Sequence, residues 1–311
     1  MAEFRPYEVD RLQQYVDACL GCLRMDDCEL FVDAKPLEGG VYRELKAYGP
    51  GSRWFDLSFH RDLFIKPVRV QKLIFAELLA DVHFQPQKYA ALDLETFLRP
   101  MEWDFWKCQY ERLHDVAVER LAQILIELLP EVPVFFGPGF KLPPDPAFPI
   151  AQEPKLAPTR LPVPEKELPE SVGEKLGSYI VQDCMPALGM FDFSLCLRAE
   201  MCDDKANAAI QPLRGRQHTA LQVGASFFTR GWREMRKTVA HELLHLLFSQ
   251  ELVFVEHAGI KYLSKHENSL YYGHYNQVHE VSVDRLSTAL SQLLPVPPDF
   301  LEIPEPQGVT P

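Results

Sequence analysis

Residues 275–295 read YNQVHEVSVDRLSTALSQLLP, and residues 110–130 read YERLHDVAVERLAQILIELLP. Tyr110, His114, Val116, Val118, Arg120, Leu121, Leu128, Leu129 and Pro130 each stand 165 residues before an identical residue: Tyr275, His279, Val281, Val283, Arg285, Leu286, Leu293, Leu294 and Pro295. Working outward, the same offset sets Lys72, Glu77, Leu78, Leu79 and Gln85 on Lys237, Glu242, Leu243, Leu244 and Gln250. It also sets Val16, Cys19, Leu23, Met25, Asp27, Leu30 and Ala34 on Val181, Cys184, Leu188, Met190, Asp192, Leu195 and Ala199. Two helix-rich segments share Leu and Val periodicity by chance, but not at one ungapped offset through matched Cys, His, Tyr, Arg and Pro. The chain reads as an internal duplication.

Twelve of the 26 prolines fall between Pro130 and Pro169. Proline lacks an amide donor and restricts the residue before it, so this stretch is neither a helix nor an inner strand. The expected organisation is a first repeat over 1–133, a Pro-rich linker over 134–170 and a second repeat over 171–311. In each repeat the periodicity predicts an opening amphipathic helix (11–25 and 174–188) and a strand (29–34 and 194–199). A second strand (54–59 and 219–228), a central helix (68–84 and 233–248), a long irregular connection and a last helix (112–129 and 277–294) follow. The expected class is α+β, two tandem domains, helix-rich with a small sheet in each.

The chain has 311 residues, 47% of them hydrophobic, which suffices for a real core. Its net charge of −12 argues against direct grip on a nucleic-acid backbone. Met1 to Asp10 carries Glu3, Arg5, Glu8 and Asp10 with no apolar run behind it, which predicts no signal peptide and no membrane span. Seven cysteines, an odd count, fit reduced thiols and a cytoplasmic location.

The central helix of the second repeat contains His241-Glu242-Leu243-Leu244-His245. Residues i and i+4 share a helix face, so both imidazoles can hold one ion while Glu242 reaches a water on it. The apolar stripe Met235, Val239, Leu243 and Leu246 seats the helix and leaves the histidines on a neighbouring face. A structural zinc site commonly uses cysteine, and none follows Cys202. Downstream, Glu280 offers a third ligand, and Asp284, one turn on, a carboxylate able to orient a ligand histidine through its other ring nitrogen. Three protein ligands leave a fourth position for water.

His241-Glu242-x-x-His245 followed by helical Glu280-x-x-x-Asp284 resembles the gluzincin zinc metallopeptidases. Within them it is most similar to the ImmA/IrrE-type peptidases, over roughly residues 219 to 296. The family usually has Gly where this chain has Leu244, and the insert from Glu251 to Tyr275 is long. The resemblance implies a zincin-like fold, one zinc ion on His241, His245 and Glu280, and Glu242 as general base in hydrolysis of a protein or peptide. It further implies, by analogy alone, a repressor-like regulator as substrate. Leu221, Val223, Ala225 and Phe227 alternate along a strand whose edge is expected to pair with extended substrate. His274, Tyr271, Tyr272 and Tyr275 are the candidate oxyanion donors. His279, matched by His114, is expected to have a structural role.

In the first repeat the corresponding residues are Ala76, Glu77, Ala80 and Asp115, so this half is expected to bind no zinc. The alternative to an endopeptidase is a non-catalytic two-lobed interaction or structural protein with a relic or structural zinc site.

Overall fold

The computed structural model describes residues 4–25, 27–33, 37, 41–49, 52–135, 170–191, 199–201, 208–212, 219–224, 227, 228 and 230–298. The elements, in chain order, are α1 (Pro6–Cys22), β1 (Glu29–Asp33), β2 (Arg43–Ala47), β3 (Trp54–Phe59), α2 (Val68–Leu92) and α3 (Pro100–Leu125). There follow α4 (Glu170–Ser178), β4 (Ala199–Met201), β5 (Ala208–Pro212), β6 (Thr219–Val223), α5 (Trp232–Leu247), α6 (Ser249–Tyr262) and α7 (Lys265–Leu290). The chain is helix-rich α+β. Residues 136–169, most of the expected linker, and the expected strand residues 194–198 lie outside the described set.

One compact unit comprises residues 1–148 and 247–289. Its helices start on local signals. Pro6 and Pro100 occupy first-turn positions where a missing N–H costs nothing. The Glu8 carboxylate accepts the Arg5 backbone N–H at 2.8 Å, and Glu102 accepts that of Arg99 at 3.3 Å. At α7, Ser264 and Glu267 cap each other: the Ser264 N–H donates to Glu267 at 2.9 Å and the Glu267 N–H to Ser264 Oγ at 3.3 Å.

The sheet of this unit has the order β1-β3-β2, with β1 parallel and β2 antiparallel to the central strand. Its inner side chains meet α1 and α2 in an aromatic core, where Phe75 stands 4.8 Å from Tyr15 and 5.1 Å from Phe59. A second core forms among α2, α3, α6 and α7: Trp103, Trp106, Tyr110, Val255, Ala258, Tyr271 and Tyr275. Trp106 stacks on Tyr110 at 5.2 Å and on Phe254 at 5.7 Å. This apolar demand corrects the sequence expectation. The segments expected to be irregular connections are helical, α2 running through Pro86 to Leu92 and α3 and α7 starting at Pro100 and Lys265.

The other unit comprises residues 149–246 and 290–311. Its sheet has the order β4-β6-β5, again with one parallel and one antiparallel neighbour to the central strand. After α4 the backbone opens into a π-helical turn, Tyr179–Cys184, before the helical Met185–Ala187. The expected strand 219–228 stops at Val223 and is paired on both sides, so it has no free edge for substrate; the edges belong to β4 and β5.

Shifting α1, β2 and α3 by 165 gives 171–187, 208–212 and 265–290, within a residue of the helical run 170–187 and on β5 and α7. Tyr15 donates to the Pro130 carbonyl at 2.9 Å, and Tyr179 to the Pro295 carbonyl at 2.7 Å. The tyrosines are 164 apart and the prolines 165, and the second tyrosine opens the π-helical turn Tyr179–Cys184.

Candidate metal centre

The helix α5 is seated by Met235, Val239, Leu243 and Leu246, all buried, with Ala240, Leu244 and Leu247 closing the neighbouring positions. His241 and His245 keep partial exposure. Their Nε2 atoms stand 3.0 Å apart, and the rings are edge to face at 4.7 Å. Tetrahedral zinc with bonds of about 2.0–2.1 Å to imidazole sets its ligand atoms about 3.3 Å apart, close to this spacing. A ligand atom from each of His241, His245 and Glu280 lies within 4.8 Å of the others. Two imidazoles and one carboxylate are a donor set that fits a divalent metal ion.

Glu242 is 6% exposed and lines a crevice of about 10 Å³ with Ile180, Leu221, Val223, Phe227 and Thr238. That volume is about what one water requires. Asp284 follows Glu280 by one turn of α7, at an exposed position.

The four expected oxyanion donors separate. Tyr271 donates to the Ala91 carbonyl at 3.0 Å, and the Tyr275 hydroxyl bonds to Glu251 and Gln87, so both are engaged in the buried core. His274 is exposed, 3.7 Å from Asp93. Tyr272 is half-buried, and burial, with the negative charges of Glu256 and Glu280, raises its hydroxyl pKa.

His279 and His114 are both buried. His279 stacks on Tyr275 at 6.4 Å and its Nδ1 meets Gln87 Oε1 at 2.9 Å; His114 stacks on Tyr110 at 5.8 Å. The sequence reading missed the acid between them. Glu251, 1% exposed, accepts from Tyr110 at 2.9 Å, Tyr275 at 3.1 Å and Gln87 at 2.9 Å. No motif marks Glu251; its signal is only a carboxylate directly before the apolar run Leu252 to Val255.

In the first half, Ala76 and Ala80 are fully buried and Asp115 is exposed. Glu77 is half-buried, and its carboxyl pKa is raised by burial, against the pull of Arg43. The Arg43 guanidinium from β2 lies 4.0 Å from Glu77 and 3.6 Å from Asp81.

No family model, curated protein or solved structure matches the chain. Among the described residues no helix is long and apolar enough to cross a membrane.

Proposed function

We propose that the chain is a zinc-dependent peptidase whose ion is held by His241, His245 and Glu280. The convergence of these three donors carries the reading. A zinc ion in such a set lowers the pKa of its water and polarises a carbonyl. Glu242, one residue from His241 and beside a water-sized crevice, takes the proton of the attacking water and passes it to the leaving amine. Tyr272 is the oxyanion donor we favour. Substrate, an extended protein segment, adds to the β5 edge, since β6 has both edges paired.

The halves are products of duplication, a reading supported by the coincident element bounds and by the two tyrosine–proline hydrogen bonds. The first repeat has lost its metal site: methyl groups fill the histidine positions, and the Arg43 cation sits beside the retained Glu77. Among the described residues Cys19, Cys22, Cys28, Cys108 and Cys184 are thiols and not disulfides, which supports a reducing, cytoplasmic setting.

The test compares wild type with Glu242→Gln for zinc content and for cleavage of a casein and peptide-library panel. The expected result is one zinc per chain in both and cleavage in wild type only. Equal cleavage by both overturns Glu242 as base; bound zinc with no cleavage by wild type favours the interaction-protein alternative.

A further inference from the structure

A cavity of about 340 Å³ opens in the unit formed by residues 1–148 and 247–289, on a face of α7 distinct from Glu280. Helical spacing places His274, Val278, Val281 and Arg285 on that face, while Glu280 points about 120° away from its middle. The volume is that of a small-molecule site. Its floor is apolar, with Phe55, Val82 and Val281 among the lining residues.

The charge is concentrated. Asp27 is the one carboxylate lining the cavity, and its Oδ2 takes both Arg53 and, at 2.8 Å, Arg285. Two guanidiniums against one carboxylate leave a net charge of +1. Each guanidinium has five N–H donors, so most remain for another acceptor. No other lining group cancels this charge. His83 is held neutral by burial, its pKa pushed down to about 4, and its Nε2–H donates to the Ser282 carbonyl at 2.8 Å. Burial pushes the Cys28 thiol up to about 11, which removes it as a nucleophile and makes the cavity a place for binding.

We infer that this cavity binds a small organic anion, a carboxylate or phosphate monoester on a compact apolar body, with Arg53 and Arg285 on the anionic group and the body against the Phe55–Val82–Val281 floor. The ligand bridges the β1–β3 end of the sheet to α7. The site is independent of the metal centre.

Titration calorimetry of the full chain with benzoate, phenyl phosphate and neutral benzamide tests it. The expected result is saturable binding of at least one anion, tenfold or more tighter than benzamide, weakening as salt is raised. Benzoate against phenyl phosphate then identifies the anionic group. Arg285→Gln is expected to weaken binding at least tenfold, and Ser52→Trp, at the partly exposed rim, to block it while leaving the melting temperature unchanged. Should Arg285→Gln fail to fold, Ser52→Trp decides alone. No saturable binding of either anion, benzamide binding as tightly, or undiminished binding by Ser52→Trp overturns the inference.

Discussion

His114 Nδ1 and Glu251 Oε2 lie 3.5 Å apart, and each side chain is 1% exposed. Neither histidine nitrogen, nor that carboxylate oxygen, has an aligned hydrogen-bond partner, so the two groups are close without a directed bond between them. Burial opposes the Glu251 charge, but His114 and the hydroxyls of Tyr110 and Tyr275 outweigh it and hold the carboxyl below its usual range. Glu251→Ala leaves His114 and two phenols stranded and is expected to cost about 3–5 kcal/mol in urea unfolding. A depressed folded pKa gives stability that is present above the unfolded value of about 4.3 and lost as pH falls through the folded one. Glu251→Gln is therefore expected to flatten the acid limb of the stability curve.

His83 adds to the acid limb in the same sense, through burial instead of a charge partner. With its folded pKa near 4 against an unfolded 6.5, the unfolded chain binds the extra proton. Stability is expected to fall as pH drops from about 6.5 to about 4, by on the order of 3 kcal/mol, and to be level above that window. The His83 ring resonances should not shift above pH 5.5; a midpoint near 6.5 would remove this contribution.

Metal analysis of protein purified without a metal column is expected to give one zinc per chain. His241→Ala is expected to reduce it to background, and Glu280→Gln to weaken binding at least tenfold in chelator competition. Affinity should decline as pH falls, because protons compete with the metal for its ligands. Two zinc ions per chain would contradict an empty first half.

Arg43→Ala removes two partly exposed ion pairs and is expected to cost no more than about 1 kcal/mol. Zinc content should stay at the wild-type value. A larger loss in thermal melts would mark the Arg43–Glu77–Asp81 cluster as structural in its own right.

The strands β1 and β3 and the cores of α1 and α2 were legible because side-chain periodicity there reports one buried face. The strand β2 was not: Arg43, Glu44 and Lys46 leave it without an apolar stripe, and it is specified by pairing with β3. The helical connections were hidden by Pro86, normally a stop, and by the polar composition of 265–275; burial of Trp103, Trp106 and Tyr271 decides them. At the candidate metal centre, local spacing singled out His241 and His245, and the last helix offered Glu280; the three lie together as a possible ligand set. Local spacing could not show that Tyr271 and Tyr275 face core acceptors, since those partners lie 180 and 24 residues away.

The widened turn at Tyr179–Cys184 sets a rule for tolerance to insertion and deletion. An added residue in an ordinary helix rotates everything beyond it by about 100° and turns its buried face toward water. Here the extra residue is taken up as a local bulge, and Cys184, Met185 and Leu188 remain inside. Removing one residue between Ile180 and Asp183 should therefore tighten the turn to α and be tolerated, whereas the same deletion in α1 should unfold the unit that contains it.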